Sequence, residues 1–267
     1  MATEKSRTSQ SGWFEPIAPV RAGSLRLFCF PYAGGSAQVF RQWQRHLPDE
    51  VVLSLVHLPG RGRRIGEPAY RRLMPMVSEI ADAIIPELQT DFVFWGHSMG
   101  AMIGFELARE LRRRGRSGPL GLLVSGRTAP QVPDTDPPNY DLPEQEFLAE
   151  LKRLNGTPKE LLEDPELMEL FLPAIRADFE LVETHAYGTG EPLAFPFYVY
   201  GGLQDTSVPV ESLRAWQEQT TGKCTVRMFP GDHFFIHSCA ADVVHALRRD
   251  VLTLLSQTAA SSQRANR

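Results

Sequence analysis

The sequence predicts one α/β domain, with a mainly parallel sheet, helices on both faces and a helical insertion late in the chain. Three observations carry this. Apolar runs of strand length alternate with helical patterns between Leu25 and Leu255, the order a parallel sheet requires. The alternation breaks only across residues 128–192, which hold no convincing strand. Finally, 267 residues with 42% apolar and 22% charged side chains suit a single globular domain of this class.

In chain order, Leu25–Phe30 (LRLFCF) reads as a strand and Ser36–Leu47 as a helix. Val51–Val56 is a strand and Leu73–Leu88 a helix. Phe92–Trp95 (FVFW) is a strand followed at once by a helix through Arg114, and Leu120–Ser125 is the next strand. After the insertion come strands at Phe197–Tyr200 and Thr225–Phe229, separated by a helix near Val210–Gln219, and a closing helix near Ala240–Leu255. The insertion opens on the Pro-rich TAPQVPDTDPPNYDLP and continues with helices at Glu144–Leu154 and Pro165–His185. Asp164 before Pro165 is a good helix start, and Pro173 should kink or interrupt the second helix. The expected division is a core at 20–127 and 193–257, a lid at 128–192, and frayed tails at 1–19 and 258–267.

The formal net charge is −4, which gives no reason to expect nucleic-acid binding. The dense basic runs, Arg61–Arg64 and Arg112–Arg116, read as a solvated loop and a helix C-terminus. Three cysteines, Cys29, Cys224 and Cys239, fit neither a disulfide framework nor a metal site, and Cys29 reads as a small buried residue. The polar N-terminus lacks the apolar run of a secretory signal, and no run approaches a membrane span. A reducing cytoplasm is the expected home, without metal, nucleotide or other cofactor, and monomer is the default state.

Gly96-His97-Ser98-Met99-Gly100 matches G-x-S-x-G. The pattern alone is weak, but here it follows an apolar strand and opens a helix, the setting of a nucleophile elbow in an α/β-hydrolase fold. Side chains at Gly96 and Gly100 would collide with the packed strand and helix. Ser98 is the expected nucleophile. A serine hydroxyl needs a base, and in this fold the partners follow in the order acid, then histidine. His233 lies just after the last strand, in PGDHFF, and is the expected base. Asp205, on the loop after Phe197–Tyr200, is the expected orienting acid. Asp232 adjoins His233 and is a poor orienter. Two backbone N–H groups should receive the oxyanion. One is that of Met99. The other comes from the Gly-rich loop Pro31–Ser36, at Ala33 or, as the alternative, Gly34. In the insertion, Phe147, Leu151 and Leu154, then Leu167, Leu170, Phe171 and Ile175, offer an apolar lining at helical spacing. Phe147, Phe171 and Ile175 are the candidate substrate contacts, and the Pro-rich opening is a candidate mobile hinge.

Four motifs in order, FPYAGGS from Phe30, LPGRGR from Leu58, GHSMGA from Gly96 and GDHFF from Gly231, resemble the type II thioesterases. These stand-alone enzymes accompany polyketide synthases and nonribosomal peptide synthetases. The resemblance runs from about Leu25 to Leu255. It implies an α/β-hydrolase core with a mobile helical lid, and hydrolysis of acyl groups from the phosphopantetheine arm of an acyl or peptidyl carrier protein, clearing stalled or aberrant units. The LPGRGR loop is either a tight turn with a structural arginine or a phosphate contact. Many members carry His or Phe where this chain has Tyr32. The competing expectations are a medium-chain fatty-acyl releasing thioesterase, a small-molecule esterase on the same triad, and a non-catalytic binding module on a hydrolase fold.

Overall fold

The computed structural model describes residues 12–265 apart from 135 and 158–161, with the backbone only from 259 onward. Among these residues one sheet has seven strands: β1 (Phe14–Pro16), β2 (Leu25–Phe30), β3 (Val51–Val56), β4 (Phe92–His97), β5 (Leu122–Ser125), β6 (Phe197–Gly202) and β7 (Cys224–Phe229). Their spatial order is β1-β3-β2-β4-β5-β6-β7. Every pairing is parallel except that of β1 with β3.

The continuous apolar runs follow from burial on both faces. Successive strand residues point to opposite sides, so Phe28, Phe30, Phe94, Val124 and Val199 enter one core. Leu27, Cys29, Trp95, Leu123 and Tyr200 enter the other. The first core is closed by α1 (Leu73–Ile84) and α2 (Met99–Arg113). The second is closed by a 3₁₀ segment, Ala37–His46, and the long C-terminal helix described below. The helix expected at Ser36–Leu47 is this 3₁₀ segment; its buried residues are Ala37, Phe40 and Trp43, and that spacing of three fits the three-residue turn of a 3₁₀ helix.

Across 128–192 the described residues form no strand. The insertion contains α3 (Glu144–Leu154) and α4 (Pro165–Glu183). The Asp164 side chain caps α4, accepting from the N–H groups of Glu166 and Leu167 at 3.0 and 3.1 Å. Pro173 does not interrupt α4. Both Pro173 and Glu169, whose carbonyl loses its partner, are exposed, so water can satisfy the freed group. Three further α-helical stretches, α5 (Val210–Arg214), α6 (Phe235–Ser238) and α7 (Ala240–Ala265), follow α4.

Both tail expectations need correction. Phe14–Pro16 lies inside the segment expected to fray, yet it pairs with Ser54–Val56 as an edge strand, with Trp13 and Phe14 buried. At the other end α7 runs to Ala265 rather than stopping near Leu255. Residues 1–11, 266 and 267 lie outside the described residues.

β2 is followed in sequence by β3 on one side and flanked in space by β4 on the other, so the chain reverses its direction of progress across the sheet between β2 and β4. The crevice above the carboxyl ends of such strands is where open α/β sheets bind ligands.

Candidate active site

Ser98 follows β4 at this reversal, and its backbone is held at φ 52°, ψ −114°, a region L-residues seldom occupy. Its N–H donates to the Ser125 carbonyl at 2.7 Å, while its own carbonyl accepts from Ala101 N–H at 3.0 Å. The sharp turn requires its two glycines. A Cβ on Gly96 would lie 2.1 Å from the Gly100 backbone, and one on Gly100 would lie 2.1 Å from the Phe30 carbonyl oxygen. α2 begins at Met99, so its N-terminal dipole faces the serine.

The β6 and β7 loops are stitched together by Leu203 N–H to Phe229 O at 2.8 Å and Gln204 N–H to Gly231 O at 2.9 Å. This brings Asp205 to His233, and Asp205 Oδ2 lies 2.7 Å from His233 Nδ1. Asp205 is itself fixed, its Oδ1 accepting from Ser207 N–H at 2.9 Å and Val208 N–H at 3.2 Å. With Nδ1–H donating to the carboxylate, Nε2 is left as a proton acceptor. Asp232 turns elsewhere: Oδ1 accepts from Phe234 N–H and Oδ2 faces Asn155. Beneath His233 lies His97, fully buried, its ring centroid 5.1 Å away and its Nδ1 2.9 Å from Ser125 Oγ. Burial, helped by the neighbouring His233 and His237, holds the His97 pKa well below the ordinary histidine value, so it adds no charge beneath His233.

The loop after β2 closes as a turn, with Gly35 N–H donating to Tyr32 O at 2.9 Å and Gly34 at φ 74°, the positive angle a type II turn needs at that position. Gly34 N–H is already taken: it donates to Asp178 Oδ2 of α4 at 2.8 Å. Among the described residues the N–H groups of Ala33 and Met99 meet no protein acceptor.

Asp178 also receives Arg61, whose Nη1 donates to Oδ2 and whose Nη2 donates to Oδ1 at 2.6 Å. Side-chain exposure is 9% for Arg61 and 3% for Asp178. Arg61 therefore departs from the solvated-loop expectation, and it occupies the structural role in the LPGRGR loop. A sequence cannot show which arginine meets a carboxylate 117 positions away. The insertion touches the site a second time where the Phe234 ring fills the space beside Gly156, 2.1 Å from where a Cβ would stand.

Of the three candidate substrate contacts, Ile175 lies against Gly34 and Phe171 is half-buried one turn earlier on α4. Phe147 is fully enclosed, packed edge-on to Phe179 with the Arg176 guanidinium 4.2 Å above its ring. It builds the insertion's own core rather than an open wall; helical spacing alone cannot tell those two apart. Leu167 and Leu170 face solvent. The Pro-rich opening is pinned on both sides. Gln131 Nε2 donates to Ala215 O at 2.7 Å, the N–H groups of Asn139 and Tyr140 donate to the Glu183 carboxylate, and Arg176 Nη1 donates to the carbonyls of Tyr140 and Leu142.

Residues 25–251 match the thioesterase domain family. The chain is a member of the thioesterase family. Among its relatives, the gramicidin S biosynthesis protein GrsT of Aneurinibacillus migulanus is 40% identical over 91% of this chain and 95% of its own length. Thioesterase PikA5 of Streptomyces venezuelae is 34% identical over 93% and 88%. The solved structure of BorB, a type II thioesterase from the borrelidin biosynthetic cluster, is 31% identical and superposes with a TM-score of 0.83 over 93% of this chain and all of its own. This thioesterase has the α/β-hydrolase fold, and its class of activity is serine-type hydrolysis of thioesters. No helix among its described residues is long and apolar enough to cross a membrane.

Proposed function

We propose that this thioesterase releases acyl groups from the phosphopantetheine arm of an acyl or peptidyl carrier protein, editing stalled units for a polyketide synthase or nonribosomal peptide synthetase. Ser98 is the nucleophile, His233 the base and Asp205 the residue that orients it. The observation that carries this reading is the 2.7 Å contact between His233 Nδ1 and a doubly anchored Asp205 carboxylate. It leaves His233 Nε2 available to a serine strained onto the top of the sheet.

The chemistry follows in two balanced halves. Ser98 Oγ attacks the thioester carbon as its proton passes to His233 Nε2, and Asp205 stabilises the resulting imidazolium. The N–H groups of Ala33 and Met99 receive the oxyanion, each donor worth roughly 10²–10³ in rate. As the intermediate collapses, the C–S bond breaks and His233 returns the proton to the departing thiolate, leaving the carrier's free thiol and an acyl-Ser98 ester. Water then attacks that ester while giving its proton to His233. The C–O bond to Ser98 breaks, the proton returns to Ser98 Oγ, and the carboxylic acid leaves.

The 128–192 insertion acts as the lid, with Phe171 and Ile175 lining the path of the acyl chain. Remote contacts to the carrier raise kcat/KM, since binding energy away from the reacting carbon can be spent at the transition state. The test is a panel of acyl groups on a carrier protein beside the same acyl groups on a short thiol and as simple oxygen esters. Higher kcat/KM on the carrier, abolished in Ser98→Ala, is expected. Equal efficiency on carrier and free thioesters refutes the tethered substrate, faster oxygen-ester turnover makes this a small-molecule esterase, and no reaction with a fluorophosphonate probe makes it a binding module.

A further inference from the structure

The residues proposed to attack, to accept the proton and to hold the oxyanion come from three separate loops, and one side chain touches all three. Tyr32 lies in the loop after β2, directly before Ala33, and is 6% exposed. Its ring centroid is 5.8 Å from that of His97, the residue before Ser98. It is 5.1 Å from that of Phe234, the residue after His233, and 5.7 Å from that of His237 in α6. The ring is folded beneath its own turn, so that a Cβ on Gly35 would lie 2.8 Å from it. Any displacement of this ring therefore displaces the turn that presents Ala33 N–H.

One polar contact fixes the ring's far end. The Tyr32 hydroxyl oxygen and His237 Nε2 are 2.9 Å apart, a hydrogen bond whichever of the two carries the proton. Burial pushes the Tyr32 phenol up to about 12 and lowers the His237 pKa, so both partners are neutral near pH 7 and neither brings a charge close to His233. α6 begins two residues after His233. The bond thus ties the loop that carries the base to the turn that carries the oxyanion donor.

We infer that Tyr32 and His237 form a positioning pair that sets the distance between the Ala33 oxyanion donor and the His233 base. This rests on the triad reading above. Neither residue touches the reacting atoms; they act through the loops they join. Misplacement of such groups by an ångström is costly to the chemical step, whereas ground-state binding of the acyl chain, which relies on other contacts, is little affected.

The experiment is a double-mutant cycle on a carrier-bound acyl thioester, with kcat, KM and the melting temperature measured for each variant. Tyr32→Phe keeps the ring and removes only the hydroxyl. It is expected to lower kcat roughly three- to tenfold, up to the size of one neutral hydrogen bond, with KM changed less than twofold. His237→Leu is expected to give the same loss, and the double variant to lose no more than a further twofold, because the two substitutions break one contact. Full kcat in Tyr32→Phe, losses that multiply in the double variant, or a kcat change only in proportion to lost folded protein would each overturn the inference. Ser98→Ala is run alongside. If that variant still turns over, the triad reading has failed; if it is inactive while Tyr32→Phe is unimpaired, only the positioning role has failed.

Discussion

Removing the Asp178 carboxylate should cost more stability than removing any of the proposed catalytic side chains. In Asp178→Ala, the guanidinium of Arg61 loses both of its carboxylate bonds while its side chain is only 9% exposed, and Gly34 N–H loses its acceptor. Breaking one side of a buried ion pair costs about 3–5 kcal/mol, because the stranded charge stays out of water. A chain of 267 residues has an unfolding entropy near 0.56 kcal/mol/K at ~2.1 cal/mol/K per residue, which converts that cost to a fall of about 5–9 °C in melting temperature. Thermal melts followed by circular dichroism read this directly. Thioester turnover, measured well below the transition, should fall far less than on loss of Ser98, because Asp178 approaches the site only through the turn. Replacing both charges, as Arg61→Met with Asp178→Leu, should recover part of the loss, since an apolar pair strands no ion. A melting temperature within 2 °C of the parent for Asp178→Ala would refute this account of the pair.

Asp205→Asn should lose on the order of 10⁴ in kcat by favouring the wrong imidazole tautomer, while Asp232→Asn changes little; the reverse ranking in steady-state assays would move the acid. Ser98→Gly should melt above Ser98→Ala by ~2–5 °C, because it relieves about 1–3 kcal/mol of backbone strain at φ 52°, and coincident melts would show that the turn is relaxed. His97 is held neutral by burial, so its contribution is complete above its unfolded pKa near 6.5 and is lost as pH falls below it. Urea titrations at pH 7 and pH 5.5 should show stability lower by about 1.3 kcal/mol at the acid end for this proton, a drop that His97→Asn removes. Bulky substitutions at Phe171 or Ile175 should change chain-length preference on acyl carriers more than turnover of a small activated ester; equal effects on both would remove these residues from the acyl path.

The serine turn was legible because its signals are local: an apolar strand, two glycines and a helix follow one another without a break. The pairing of Asp205 with His233 was legible because the chain order of this fold restricts the expected acid and base to two loops, and the structure brings the two side chains into contact. What escaped depended on distant partners. β1 is three residues long and antiparallel, too short for periodicity to stand out, although Trp13 and Phe14 carried an apolar signal. Arg61 sits within a run of basic residues, and only the fold reveals that it points inward to Asp178. Phe147 has the spacing of a lining residue and the enclosure of a core residue, which one helix's pattern does not separate. The loop's sequence favoured Ala33 over Gly34, but it could not show that α4 occupies the Gly34 N–H.

The insertion is continuous in sequence, yet its seats are scattered. α4 rests on the β2 turn through Asp178 and Ile175, on the LPGRGR loop through Arg61, and the chain just beyond α3 receives Phe234 from beside His233. A chimera that exchanges residues 128–192 alone with a relative therefore severs contacts on three loops of the recipient. Grafting the insertion with its seats intact requires a discontinuous unit, with residues 31–36, 59–61 and 232–234 travelling together with the helices that rest on them.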